Sequence, residues 1–256
     1  MTPYLALSKP GANFIQNWYE AADVNHFWMR HRLKFLLQAI RRVGLRIDQP
    51  LKGLDIGGGR AVFRSQIESS TQWSVDCTDL DVGALEQSVP GRGQTLLYDI
   101  TQELPDRIGS YDVVFALDVV EHVENPDLFL KSAARHLKPG GHLVINVPAL
   151  NCLFSRYDTC AGHLRRYTTA MLVKELASSH LDIAHSRYWG LTMIPVVLLR
   201  KWIVSLIQSQ DRVIQMGFSP PNPWVERILS ATLTFERLAL PIRPLGTSLI
   251  LVARKK

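Results

Sequence analysis

Apolar positions along this chain change their spacing twice. From about 13 to 43 they recur at helical intervals and are rich in aromatics, among them Phe14, Trp18, Tyr19, Phe27, Trp28 and Phe35, and Pro50 closes the stretch. Between 51 and 148 short apolar runs alternate with helical ones. The pattern predicts strands over 51–56, 73–78, 95–98, 111–117 and 142–147, and helices over 61–69, 82–88 and 126–137. The run from Tyr111 to Leu117 is almost continuously apolar, as a strand buried on both faces requires. Such alternation implies βαβ units and a parallel sheet. Beyond Pro148 the pattern loosens into a long loop to Tyr167, a helix over 169–178 and a strand over 182–188. An apolar helical stretch follows, broken at Ser219-Pro220-Pro221-Asn222-Pro223, and the last predicted strand is 247–253. No linker interrupts the chain. It reads as one domain over 1–256: a helical lead-in (1–50), a ligand-binding core (51–148), a loop, helix and strand (149–190), a helical cap (191–243), and a last strand with its tail (244–256).

Composition narrows this picture only slightly. The chain is 46% hydrophobic and 20% charged, which is ordinary for a globular protein. Its net charge of +6 suits an anionic partner or surface. The basic residues fall in pairs, such as Arg41-Arg42, Arg165-Arg166 and Arg200-Lys201, not in blocks, and this argues against a nucleic-acid partner. Three cysteines, Cys77, Cys152 and Cys160, are too few and too odd in number for a disulfide framework, and they lack a trustworthy zinc spacing. They fit a reducing cytoplasm, and no metal is expected. The apolar segment 191–207 contains Pro195 and Arg200-Lys201, so it predicts a buried or interfacial helix, not a membrane span. Peripheral membrane contact or a homodimer through the cap is consistent with it.

The chemistry gathers at the carboxyl ends of the predicted strands. The first ends in Asp55-Ile56-Gly57-Gly58-Gly59, where glycines permit a sharp turn and close approach of a ligand. The second ends in Asp79-Leu80-Asp81, an acid placed to accept both ribose hydroxyls. The third ends in Asp99-Ile100, a carboxylate for an amino proton and an apolar side chain against a base. The fourth ends at Leu117-Asp118 beside the same crevice. A nicotinamide fingerprint would need a third glycine where Val62 stands, and no G-K-[ST] follows for a phosphate loop. Asp55 suits a ligand with an ammonium group.

These residues resemble the class I S-adenosylmethionine-dependent methyltransferases. Gly53-Leu54-Asp55-Ile56-Gly57-Gly58-Gly59 is similar to their first motif, with Ala61 in place of its third glycine and slight change expected from that. Asp79 resembles their ribose acid and Asp99-Ile100 their adenine contact. Tyr111 to Val123, then Leu137-Lys138-Pro139-Gly140-Gly141, resembles their fourth- and fifth-strand region. The resemblance covers about 51–148. It implies a Rossmann-like α/β fold: a seven-stranded, mostly parallel sheet with an antiparallel last strand, here with N-terminal helices and a helical cap inserted before that strand. It also implies S-adenosyl-L-methionine as cofactor, held by Arg32, Asp55, Gly57, Gly58, Gly59, Asp79, Leu80, Asp99, Ile100 and Leu117, with Arg30 beside Arg32 also placed to reach the cofactor carboxylate. His26 to Arg32, and Asp158 with Gly162 to Thr168, are similar to segments of bacterial small-molecule methyltransferases. Asp118 to Val123 is similar to ubiquinone-pathway O-methyltransferases.

Methyl transfer from a sulfonium is an in-line displacement in which the protein aligns the reactants and excludes water. His122 and His163 are the candidate bases. Trp28, Asp158, Arg166 and Tyr167 are the candidate substrate residues, and Trp189, Met193, Trp202 and Met216 are candidates for an apolar pocket. The acceptor implied is a small or lipid-like molecule methylated at oxygen. A nucleic-acid or protein acceptor is the alternative, although the fourth strand carries Leu117-Asp118-Val119-Val120 where base amino-methylases have Asn/Asp-Pro-Pro-aromatic. A non-catalytic binding subunit of the same fold is the third reading.

Overall fold

The computed structural model describes residues 3–11, 26–218, 222–240 and 244–256. Phe14, Trp18 and Tyr19, and the break at Ser219-Pro220-Pro221, lie outside the described residues.

Eight strands form one sheet in the order β1-β4-β3-β2-β5-β6-β8-β7. They are β1 (Leu5–Ala6), β2 (Lys52–Ile56), β3 (Ser74–Asp79), β4 (Thr95–Leu97), β5 (Tyr111–Leu117), β6 (Leu137–Pro148), β7 (Leu181–Trp189) and β8 (Ser248–Lys255). The pairs from β1 through β6 are all parallel, and β8 runs antiparallel to both β6 and β7. The expected seven strands and antiparallel last strand are therefore present. The eighth strand, β1, is two residues long, too short for any periodicity to reveal.

Alternation along β5 divides the core. Val114 and Ala116 join Leu54, Ile145 and Leu251 on one face, covered by helices α4 (Pro126–His136) and α6 (Thr169–Glu175). Val113, Phe115 and Leu117 join Val144 and Val252 on the other, covered by α1 (Phe27–Arg42) and α2 (Val62–Ser70). Both faces are apolar because helices cover both, which is why β5 reads as an unbroken apolar run. Strand order reverses at β2, which has β3 on one side and β5 on the other. A ligand crevice opens at such a switch point.

The short α3 (Val82–Glu86) follows β3. The stretch after β6 is not the plain loop expected. Ser155 and Asp158 form a reciprocal capping box that starts α5 (Arg156–Cys160). The cap consists of α7 (Ile194–Ser205), α8 (Gln210–Phe218) and α9 (Pro223–Ala239). Pro195 does not interrupt α7; it occupies the first turn, where its missing N–H costs nothing. All three cysteines are free.

Candidate active site at the sheet switch point

Three adjoining cavities open at the carboxyl ends of β2, β3 and β5, and Asp118 lines all three. The largest, about 350 Å³, lies over β3 and β4, where Asp79, Leu80, Asp81, Asp99 and Ile100 meet Val119, His122, Val123 and Phe129. The second is bounded by Met29, Arg32, Asp55, the turn Gly57-Gly58-Gly59 and Leu117. The third lies under α7, with Trp28, Glu121, His163, Arg166 and Arg200 in its wall.

The glycine turn is a tight cradle. Gly57 and Gly59 are left-handed at φ +66° and +53°. A Cβ on Gly57 would stand 2.6 Å from Val119 Cγ2, and one on Gly58 2.5 Å from Cys77 Sγ and 2.6 Å from Asp55 Oδ2. Ala61 also takes a left-handed conformation, φ 60°, as the residue before α2, so the missing third glycine leaves backbone strain of about 1 kcal/mol beyond the slight change in helix packing expected.

The acids of this half differ in how they are satisfied. Asp55 is buried, and its Oδ2 has no hydrogen-bond partner among the described residues. Burial, opposed by the charges of Arg32 and Arg64, pushes its carboxyl up to about 7. Asp79 is raised by burial although three backbone amides reach it: Gly59 N–H donates to Oδ2 at 2.7 Å, and Leu80 and Asp81 donate to Oδ1 at 2.7 and 2.9 Å. A carboxylate offers about four acceptor sites, so room remains on Oδ2 for one hydroxyl, not the two expected. Asp99 uses Oδ1 to bind Thr101 N–H and Oγ1. Its own N–H donates to Ser8 Oγ at 2.9 Å, so the segment after β1 braces this end of the crevice.

Asp118 has φ +57°, a strained conformation for a non-glycine residue. The strain turns its carboxylate into the junction of the cavities. There Arg32 Nη1 donates to Oδ2 at 2.5 Å and Asn146 Nδ2 to Oδ1 at 2.6 Å. Asn146 in turn accepts from Trp189 Nε1 at 2.9 Å, and Trp189 stacks on Trp28 with ring centroids 4.4 Å apart. A single chain of contacts thus links α1, β7, β6 and the end of β5.

On the far side, Asp158 is fully buried and gathers the loop around itself. Its Oδ2 accepts from Ser155 N–H and Oγ–H at 2.8 and 3.0 Å, and its Oδ1 accepts from Arg166 Nε at 2.8 Å and faces His163 Nδ1 at 3.0 Å. Burial raises this carboxyl, but His163 and Arg166 overcome it and hold Asp158 well below the usual carboxylate range. An ionised carboxylate only accepts, so Nδ1 of His163 carries the proton it donates, and Nε2 is the ring atom left facing away from Asp158. Nε2 lies 4.0 Å from Glu121 Oε1. Burial, with the Asp118 charge adding to it, holds the Glu121 carboxyl well above its ordinary range. The His122 ring is 4.8 Å from that of His163, with Nδ1 3.1 Å from Gly162 O. Burial, aided by His163, pushes His122 down to about 4, so it is neutral at pH 7. Ligand-type atoms of Glu121, His122 and His163 lie within 4.8 Å of one another, a grouping with no signature in their sequence spacing.

The expected cofactor residues Arg32, Asp55, Gly57, Gly58, Gly59, Asp79, Leu80, Asp99, Ile100 and Leu117 all line the first two cavities. Both histidines border the site, as do Trp28 and Arg166. Two substrate candidates do not line it. Tyr167 is fully buried in the core, its N–H bonded to Pro148 O, and Asp158 sits behind His163 and Arg166. Arg30 turns away from the crevice to pair with Glu226 of α9 at 2.6 Å. None of the four proposed apolar-pocket residues lines the third cavity: Trp189 and Met193 are core, while Trp202 and Met216 face outward. Sequence reasoning missed Glu121, Asn146, Arg200 and Tyr157, which lines the third cavity under the Arg200 guanidinium. Each comes from a separate element, and only the folded chain brings them together.

A family model described as Methyltransferase domain matches residues 28–193. A ubiquinone biosynthesis O-methyltransferase of Proteus mirabilis is 32% identical over 106 residues, 36% of this chain and 40% of that protein. The chain spans less than half the length of the curated relatives it matches. Among solved structures, a [4+2]-cyclase superposes with a TM-score of 0.59 at 18% identity, covering 91% of this chain and 85% of that one. A phosphoethanolamine N-methyltransferase of Haemonchus contortus, solved with S-adenosyl-L-methionine, has a TM-score of 0.55 at 17% identity, covering 87% and 52%. At these identities the structures speak for the fold alone.

Proposed function

This chain belongs to the methyltransferase-domain family, and from that premise we propose that it binds S-adenosyl-L-methionine and moves its methyl group to an oxygen of a small molecule. The carboxylates at the strand ends support the cofactor. The unpartnered Asp55 Oδ2 suits an ammonium group, the remaining site on Asp79 a ribose hydroxyl, and Asp99 with Ile100 the adenine. The glycine turn packs against Val119, Cys77 and Asp55 where no side chain fits, and its backbone forms a wall of the second cavity. When bound, the cofactor supplies an electrophilic methyl group on a sulfonium.

The protein's own part is alignment and proton management. The observation that carries the reading is Asp118, the shared wall of all three cavities, with His122 facing the cofactor side and His163 the acceptor side. Asp158 holds His163 through Nδ1 and leaves Nε2 toward the third cavity, the atom that would take the proton of an acceptor hydroxyl. Arg166 and Trp28 line the same space and position the acceptor. The similarity to ubiquinone O-methyltransferases supports oxygen as the methylated atom. The same reading takes the cap as an insertion in a single domain, since Glu236 of α9 is buried and accepts from Gly190 N–H at 2.8 Å.

The test is to incubate the protein with methyl-labelled S-adenosylmethionine and fractionated bacterial extract. Label is expected in the small-molecule or organic-soluble fraction, and its yield should collapse in His163→Gln while cofactor affinity is kept. Label confined to nucleic acid or protein, or no label with the cofactor bound and unconsumed, contradicts the proposal.

A further inference from the structure

Helices α7 and α9 turn their apolar sides outward. On α7, Leu198, Leu199 and Trp202, with Leu206 at its C-terminal cap, recur at the three- and four-residue spacing of one helical face and are 48% to 67% exposed. On α9, Trp224, Ile228, Phe235 and Leu238 form a second stripe, 61% to 72% exposed. Single apolar residues are ordinary on a protein surface, but two continuous stripes are not. Internal contacts fix their orientation. Val204 and Leu233 are buried on the inner sides, and the Glu236 carboxylate accepts from Gly190 N–H, Thr192 N–H and Thr192 Oγ–H. Neither helix can roll its stripe inward without breaking these contacts.

The charges around the stripes are cationic. Residues 191–243 carry six Lys and Arg against three Asp and Glu. Two of the three acids are already engaged, Glu226 by Arg30 and Glu236 by the backbone at Gly190. Arg212 and Arg227 are exposed, and the Arg227 guanidinium stands 5.1 Å over the Trp224 ring. Aliphatic stripes carrying exposed tryptophans and bordered by arginines match the layers of a bilayer surface: acyl boundary, interface and phosphate.

We propose that the outer face of α7 and α9 docks on an anionic phospholipid bilayer. The contact is peripheral, because no helix among the described residues is long and apolar enough to cross a membrane. The inner side of α7 contributes Val197 and Arg200 to the third cavity, so one helix serves as bilayer contact and as pocket wall. A lipid-like acceptor would thereby meet the pocket at the headgroup layer. That consequence rests on the methyl-transfer reading; the docking itself does not, and its test needs no cofactor.

The test is flotation of the full chain with vesicles of phosphatidylcholine and phosphatidylglycerol, alongside phosphatidylcholine alone. The protein should float with the anionic vesicles and dissociate in high salt. W202E/F235E should weaken partitioning at least tenfold with an unchanged thermal midpoint, since both side chains are exposed. R212E/R227E, which reverses two exposed charges and removes the Arg227–Trp224 contact, should weaken it about tenfold. No flotation with anionic vesicles overturns the proposal. So does flotation that W202E/F235E leaves undiminished, and so does a dimer in light scattering that this double substitution dissociates, which would assign the stripes to a second copy of the chain.

Discussion

Asp79 in the cofactor half of the crevice and Asp158 in the acceptor half are both largely removed from water, yet they are held by opposite means. Asp79 is met by backbone amides of Gly59, Leu80 and Asp81, and burial still raises its carboxyl. Asp158 is met by the side chains of Ser155, His163 and Arg166, and despite burial it is held ionised. Backbone dipoles position a carboxylate without neutralising it; a guanidinium does both. In the cofactor half Asp55 keeps an unpartnered carboxylate oxygen and Asp79 an open acceptor site, whereas Asp158 in the other half is fully engaged by its neighbours. On the proposed function, one half receives a cationic ligand and the other holds a base in place.

The largest test of this contrast is Asp158→Ala. It releases Ser155 and His163 and leaves Arg166 buried without its carboxylate, so a loss of about 3–5 kcal/mol is expected in denaturant unfolding. A loss below 1 kcal/mol would mean that the loop does not depend on Asp158. Next is Gly58→Ala, whose Cβ meets Cys77 and Asp55. It should cost about 1–3 kcal/mol in thermal stability and also abolish cofactor binding. Unchanged binding would show that the turn is no cradle.

A third test uses pH. Asp55 sits near 7 in the free protein, and its charged form binds a cation better. Cofactor affinity should therefore rise about tenfold per unit as pH climbs toward 7 and level off above it, with proton release on binding seen in calorimetry in two buffers. Stability should move oppositely on account of Asp55. Its folded pKa is raised above the unfolded value, so its contribution is complete below pH 4 and declines between about pH 4 and 7. An affinity independent of pH would remove Asp55 from the site. The smallest expected effect is Ala61→Gly, which relieves the left-handed alanine and should stabilise by about 0.5–1 kcal/mol once the greater unfolded-state freedom of glycine is counted.

The two halves also differ in how far the sequence discloses them. Strand ends in a parallel sheet fall where apolar runs stop, so Asp55, Asp79, Asp99 and Leu117 are legible from the runs alone. The acceptor half depends on contacts between distant segments. Ser155 and Asp158 carry a capping signature, but nothing in their spacing shows that Asp158 holds His163 and Arg166 instead of touching substrate. Tyr167 looks like a neighbour of the site and is core. The cap's apolar content suggests a pocket lining, yet Trp202 and Met216 face outward, because hydrophobicity alone does not say which side of a helix is buried. The left-handed Asp118 is a backbone feature that no residue pattern announces.

The central claim is that the ends of β2, β3 and β4 form a cofactor site, and calorimetric titration with S-adenosylmethionine tests it most directly. The intact protein should bind one equivalent, and Asp79→Ala, which removes both the ribose acceptor and the carboxylate that holds Gly59 N–H, should bind at least tenfold more weakly. No heat from the intact protein, or equal affinity in the variant, would contradict it.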